Sequence, residues 1–267
     1  MRRFVTGFLC LAAAACQQTK PPPKPPEITF DGAQVIDAAA QRAHGERLSW
    51  TLGCRGCHGP ELQGHYFYER YASNLARDLP KYSDAEIEKI LRSGVPRDGR
   101  ELWGMPSDIF QHLSDTDMKA LIAHLRTLKP AGKPTQAPKP WTKEVLDVIE
   151  SGELKPAAVF VRERKSTTPV DLGPRYALGR YITMVTCAEC HGPELKGQAK
   201  FTPDLVVAGG YSRAEFETFL TKGIPPAGRK LKDPLMAQMA RERFVHFTPH
   251  ERDALYAYLR ARAEQAQ

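Results

Sequence analysis

The sequence has few cysteines, no long apolar segment and no cluster of one charge. Six cysteines occur in 267 residues, and four of them form two Cys-x-x-Cys pairs, which leaves none for a structural disulfide in the body of the chain. The apolar run 4–15 is too short for a membrane-spanning helix. The net charge is +7, but the basic residues are dispersed, so we expect no nucleic-acid partner. The length and a hydrophobic content of 42% fit two globular domains.

The N-terminus has the features of an export signal. Arg2 and Arg3 precede the apolar run, and small residues lead from it to Cys16. We therefore predict a signal peptide of the lipoprotein type at residues 1–15, with Cys16 as the acylated residue, and a Pro-rich tether at 16–30. The alternative is simple cleavage at the same place and release of the mature chain. Both interpretations predict a periplasmic protein, and the first predicts a membrane-anchored lipoprotein.

The chain also contains an internal repeat. The segment 54–64 reappears as 187–197 with most positions identical. Further matches continue downstream at the same spacing, so the similarity spans a whole domain. From this repeat we predict a first domain at 31–129, a linker with a short helix at 130–170 and a second domain at 171–267.

Helical patterns dominate both halves and predict an all-α fold. Each half ends in an amphipathic helix, for which Ser114 and Thr248 are the predicted N-caps. Each half also has a helical stretch before its cysteine pair, in which Gly45 and Gly179 would allow the C-terminal helix to approach closely. The predicted helices are 38–52, 115–127, 142–152, 175–185 and 249–262.

A histidine follows each cysteine pair directly. Two cysteines three positions apart can reach the two vinyl groups of one haem, and the next residue can then place its imidazole on the iron. The pattern therefore predicts two covalently bound c-type haems. A four-cysteine zinc site is the alternative, but it explains neither the histidines nor the repeated domain around them. The predicted attachment and proximal-ligand residues are Cys54, Cys57, His58, Cys187, Cys190 and His191.

Methionines later in each half are candidates for the sixth iron ligand. Met105 lies in a Gly-Met-Pro turn before the last helix of the first half, and we predict that it is a ligand. The second half offers Met236 and Met239. Alignment of the repeat forward from its Gly-Arg step favours Met236, and alignment back from the last helix favours Met239. His112 and His246 occupy equivalent positions and would give bis-histidine haems, but packing is the favoured interpretation.

The remaining candidates are weaker. Arg100 and Arg229, repeated in the loop before each methionine, could neutralise a haem propionate, and the alternative is a solvated arginine. Four histidines have no repeated partner in a ligand-like context and are predicted to lie on the surface or on helix faces. These are His44, His65, His124 and His250.

Together these motifs resemble the tandem cytochrome c family of bacteria, which includes periplasmic electron-transfer cytochromes and cytochrome subunits of dehydrogenases. The resemblance implies an all-α fold of two helical domains in tandem, each enclosing one covalently bound haem c. It favours Met236 over Met239, because segment 233–236 looks like the ligand loop of similar chains. A proline carbonyl often orients the proximal imidazole in such domains. Pro203 fits that role, whereas the first half offers Ser73 instead.

The function predicted from these residues is one-electron transfer without enzymatic activity, since histidine and methionine ligands leave no vacant iron site for a substrate. The expected partners are a periplasmic dehydrogenase or another donor, and a terminal oxidase or another cytochrome as acceptor. Two alternatives are a haem enzyme of the peroxidase or thiosulfate-oxidising type and a cytochrome subunit of a dehydrogenase complex. The enzyme would need an open iron or a cysteine ligand, and no spare cysteine exists.

Overall fold

A computed structural model describes residues 26–34, 37–67, 69–199, 201–226, 231 and 234–266. The predicted signal peptide at 1–15, Cys16 and Arg229 lie outside the described residues, as does most of the predicted tether. None of the helices in the described ranges is long and apolar enough to cross a membrane.

The first half contains six helices and a hairpin in its described part. The helices are α1 (Ala38–Thr51), α2 (Cys54–His58), α3 (Leu75–Asp78), α4 (Asp84–Ser93), α5 (Ser107–Phe110) and α6 (Asp115–Leu125), and the strands are β1 (Gln63–Phe67) and β2 (Arg70–Asn74). A 3₁₀ turn at Leu79–Lys81 follows α3. The strands pair antiparallel, with Gln63 opposite Asn74. The sequence analysis did not predict this hairpin, but the fold remains mostly helical.

The connecting segment has two helices, α7 (Lys143–Glu150) and α8 (Ala157–Glu163). The first was predicted, whereas α8 was not. The segment packs on the first half: the Trp141 ring lies 5.7 Å from that of Trp103, and the Ala157 amide donates to the Leu102 carbonyl at 2.7 Å. Helix α8 also contacts α4 and α5. The segment therefore extends the first half as a covering layer.

The second half repeats the helical pattern of the first. Its helices are α9 (Ala177–Ile182), α10 (Ala188–His191), α11 (Arg213–Lys222), α12 (Leu235–Glu242) and α13 (Pro249–Gln265), and its shorter turns are Pro174–Tyr176, Thr183–Cys187, Leu205–Gly210 and Phe244–His246. A capping box begins α4 at Ser83 and recurs at Ser212 before α11. Because each box satisfies two backbone donors, it fixes the start of the same helix in both halves.

The C-terminal helix of each half crosses the helix that precedes the cysteine pair at a glycine, as predicted. A Cβ on Gly45 of α1 would lie 1.9 Å from the Ala120 carbonyl oxygen of α6. A Cβ on Gly179 of α9 would lie 2.2 Å from the Ala254 carbonyl oxygen of α13. Any larger residue would force the two helices apart. The predicted N-caps, Ser114 and Thr248, accept the amide hydrogen bond that begins α6 and α13.

The two halves meet through a pair of equivalent buried carboxylates. Asp117 and Glu251 each occupy the third position of a C-terminal helix and are fully buried. The Tyr181 hydroxyl of the second half donates to Asp117 at 2.8 Å, and the Arg47 guanidinium of the first half donates to Glu251 at 2.8 Å. Each half therefore contributes one donor to the carboxylate of the other.

The segment that precedes α1 joins both carboxylates. The Phe30 amide donates to Asp117 at 3.0 Å, and the Asp31 amide donates to Glu251 at 2.8 Å. His44 lies beneath this segment and contacts Asp117 through Nε2 at 2.7 Å. His44 was predicted to lie on the surface or on a helix face; it lies on a face of α1 that is buried, and the residue is only 5% exposed. The buried position of His44 is favourable because the Asp117 carboxylate accepts a hydrogen bond from its ring.

Candidate functional site

Each cysteine pair lies on a helical turn that ends at its histidine. The four cysteines are free in the structure. Burial raises the pKa of Cys57 and of Cys190 to about 12, and the Glu189 carboxylate acts in the same direction. The thiols are therefore neutral at ordinary pH. Within the described ranges no group of three or more His, Cys, Asp or Glu side chains could hold a metal ion, so the four-cysteine zinc alternative gains no support.

The two histidines that follow the cysteine pairs are held identically. His58 Nδ1 lies 2.8 Å from the Ser73 carbonyl oxygen, and His191 Nδ1 lies 2.8 Å from that of Pro203. Because a carbonyl can only accept, Nδ1 carries the proton in each ring and Nε2 keeps its lone pair. Burial also lowers the pKa of both imidazoles, which favours this neutral form. Ser73 thus makes the contact that a proline makes in the second half, since any residue has a carbonyl.

A cavity of about 490 Å³ opens beside the second histidine. Its volume lies in the usual range for cofactor sites, about 300–1,000 Å³. Apolar and aromatic side chains form most of its wall, and the polar exceptions are few. The wall includes Cys187, Cys190, His191, Leu205, Tyr211, Phe216, Phe219, Met236, Met239, Arg243, Phe244 and Leu259. Two thiols, one imidazole and a thioether around an apolar space are the groups that haem c requires, so the residues present fit it.

Both methionines of the second half line this cavity, because they are three residues apart on the same face of α12. The sulfur of Met239 lies 4.0 Å from Nη1 of Arg243, so it already has a donor. Met236 lies in the first turn of α12, and Met105 comes two residues before α5. The sulfur of Met236 has no such contact among the described residues, which favours Met236 over Met239.

The paired histidines His112 and His246 lie at the boundary between the halves. The His246 ring stacks on Trp50 of the first half, with ring centroids 5.2 Å apart. His112 borders a small crevice together with Ala188 and Pro193 of the second half. Burial lowers the pKa of both rings. These contacts agree with the packing interpretation of the two residues.

One buried cation was missed by the sequence analysis. Arg243 pairs with Glu189 at 2.7 Å, between the two cysteine pairs. The arginine that had been singled out in the first half, Arg100, is half-exposed and pairs with Asp98. No sequence signal marks Arg243, because the ungapped repeat places it opposite Ile109. Its role depends on how the halves pack.

Comparison with known proteins gives the family. A cytochrome c family model matches residues 42–129 and again 176–263, which together make up more than half of the chain. The chain is 27% identical to the fructose dehydrogenase cytochrome subunit of Gluconobacter japonicus, over 60% of its own length and 38% of that protein. It is 25% identical to a diheme cytochrome c-type protein of Cereibacter sphaeroides, over 72% of its length and 70% of that protein.

A third relative is the gluconate 2-dehydrogenase cytochrome c subunit of Pantoea cypripedii, which is 29% identical over 60% of this chain and 39% of that protein. The chain thus spans less than half the length of the two dehydrogenase subunits. The tandem arrangement confirms the predictions of the family, of a mostly helical fold and of two haem groups. The chain belongs to the cytochrome c family and has two cytochrome c domains in tandem, each of which carries one haem c.

Proposed function

We propose that the chain carries single electrons between two redox partners and is not itself an enzyme. The observation that carries this proposal is the matched pair of imidazoles, each fixed by a carbonyl 2.8 Å from Nδ1 with its Nε2 left available. Bound haem iron supplies a one-electron couple between its ferric and ferrous states. The donor loses one electron and the acceptor gains one, so the reaction needs no further substrate.

The ligands that we propose are His58 with Met105, and His191 with Met236. These four side chains would hold the two irons and leave no position on them for a substrate, and a methionine sulfur favours the ferrous state. The attachment residues that we propose are Cys54, Cys57, Cys187 and Cys190. The free sulfur of Met236 in the described contacts, and the engaged sulfur of Met239, support the choice in the second domain.

Absorbance and magnetic circular dichroism of the purified protein test this proposal. We expect two low-spin haems per chain with histidine and methionine ligands. In Met236→Ala the second haem should become high-spin and its reduction potential should fall, whereas Met239→Ala should keep the wild-type spectrum as the matched control. A wild-type haem that is high-spin and binds peroxide would favour the enzyme alternative of the peroxidase or thiosulfate-oxidising type.

The electron donor that we propose is a dehydrogenase. Two of the relatives described above are named as cytochrome subunits of dehydrogenases, and each is longer than this chain. A tagged chain is expected to co-purify with a dehydrogenase subunit. Addition of that enzyme's substrate should then convert the haem absorbance spectrum from the oxidised to the reduced form. A chain that purifies alone and is reduced only by other cytochromes would contradict this partner. The acceptor that we propose is a terminal oxidase or another cytochrome.

We propose a periplasmic location with a lipid anchor at Cys16. The basic residues Arg2 and Arg3, the short apolar run and the small residues before Cys16 support an export signal at 1–15. The proline-rich segment at 16–30 would then separate the anchor from the first domain. Cell fractionation should recover the wild-type protein with membranes and Cys16→Ser in the soluble periplasm. Recovery of both proteins in the soluble fraction would favour cleavage without lipidation.

A further inference from the structure

Arg243 extends from the second domain into the first. Its guanidinium covers Gly53, the residue before Cys54, so closely that a Cβ on Gly53 would lie 2.6 Å from Cζ. Its Nε faces the Thr51 carbonyl oxygen at 3.3 Å, at the end of α1. The same side chain lines the cavity of the second domain, next to Cys187. One cation therefore contacts the residues just before the first cysteine pair and also lines the cavity of the second domain.

The guanidinium is nearly enclosed and only partly satisfied. Arg243 is 6% exposed. Nη1 donates to Glu189 at 2.7 Å, but Nη2 is buried and has no hydrogen-bond partner among the described residues. Leaving a buried donor of a charged group unpaired is costly. The residue that carries this unpaired donor also lines the cofactor cavity.

The charge of Arg243 reaches all four attachment cysteines. Burial raises the pKa of each thiol, and the charge of Arg243 opposes that change in every case. Glu189 raises the pKa of three of the four, so its charge opposes that of the arginine. The pair thus lies within the electrostatic range of both sites, in an interior where charges are weakly screened.

The repeat shows that this cation is used once. The first domain has Ile109 at the equivalent position, and that side chain borders the crevice with Ala188 and Pro193. The second domain correspondingly has Thr186 where the first has Gly53. The combination of a glycine before the cysteine pair and an arginine that covers it therefore occurs at only one of the two equivalent places in the repeat. The two cysteine pairs adjoin at Arg243, whose charge acts on all four thiols.

We propose that Arg243 is a cation shared by the two haem sites, and that it raises the reduction potential of both haems while Glu189 lowers it. This inference rests on the proposed function, since it requires two haems. A buried positive charge stabilises the state with one more electron, and a negative charge destabilises it. Loss of Arg243 therefore lowers both potentials, and loss of Glu189 raises them.

Redox titration of the full chain with its haems bound tests this inference. In Arg243→Gln the equilibrium constant for reduction should fall about tenfold at each haem, which is about 59 mV for a one-electron couple. Arg243→Lys should keep most of the wild-type value, because it keeps the charge. Glu189→Gln should shift both potentials upward, and the double variant should lie near the wild type.

Arg262 provides a matched control within the second domain. It is also buried, and it pairs with Asp204 at 2.7 Å and with the Glu194 carbonyl at 3.1 Å. Arg262→Gln should move at most one of the two couples. The inference is overturned if Arg243→Gln moves only one couple or none, if the lysine and glutamine variants behave alike, or if Glu189→Gln lowers the potentials. A wild-type chain without two haems would instead overturn the proposed function.

Discussion

Asp117 of the first domain and Glu251 of the second occupy the same helical position, but their charges are compensated differently. Glu251 faces the guanidinium of Arg47, whose side chain is 21% exposed. Asp117 has no arginine among its described partners, and it accepts from buried groups that cannot reach water: the Phe30 amide, Ser114, His44 and Tyr181. The same fold therefore tolerates a carboxylate in either setting. The two settings differ in whether the hydrogen-bond donors can reach water when the carboxylate is removed.

The largest effect should come from removing the first of these carboxylates. Asp117→Ala leaves several buried donors unpaired, and we expect a loss of about 4 kcal/mol in the free energy of unfolding. Glu251→Ala should cost about 2 kcal/mol, because Arg47 can turn to water. Denaturant unfolding of the protein with its haems bound measures both values. Asp115→Ala, at an exposed position of the same helix as Asp117, should cost about 0.5 kcal/mol or less. A larger cost for Glu251 than for Asp117 would contradict the comparison.

The sequence identified features that repeat locally. The cysteine pairs, their histidines, the N-caps and the two crossing glycines all lie in short patterns that occur twice, so each copy supported the other. Features that depend on contacts between residues far apart in the sequence were missed. Arg243 meets Thr51 across 192 positions of the chain, and His44 meets Asp117 across 73. Such pairs have no spacing rule, and the repeat gives no signal for Arg243 because Ile109 occupies the equivalent position.

Gly45 and Gly179 lie at equivalent helix crossings, so substitution of either glycine should destabilise its domain by a similar amount. Gly45→Ala and Gly179→Ala each place a methyl group against a carbonyl of the facing helix. We expect each to cost about 2–3 kcal/mol in the free energy of unfolding, as overpacked interiors do. Gly56→Ala is the control, because nothing lies within 4 Å of its added Cβ and alanine favours a helix by about 1 kcal/mol. If only one of the two crossing variants were destabilised, the equivalence of the two crossings would be disproved.

The smallest effect concerns a titratable group that only the second domain has. His250 lies 2.9 Å from Asp31, whereas Thr116 occupies the equivalent position in the first domain. The hydrogen bond and charge of Asp31 raise the pKa of His250 above 6.5. Burial alone would raise the pKa of Asp31, but hydrogen bonds from Thr248 and His250 lower it. Both pKa shifts favour the charged forms of His250 and Asp31.

A histidine whose pKa rises on folding adds stability that is fully present below its unfolded pKa and disappears as the pH passes the folded value. The free energy of unfolding should therefore decrease as the pH rises above about 6.5, by less than about 1 kcal/mol because the side chain of His250 is 71% exposed. His250→Gln and Asp31→Asn should each flatten this part of the profile, and the double variant should flatten it no further, since each change removes the same interaction. Additive flattening would mean that His250 interacts chiefly with some group other than Asp31, and the contrast with Thr116 would then have a different origin.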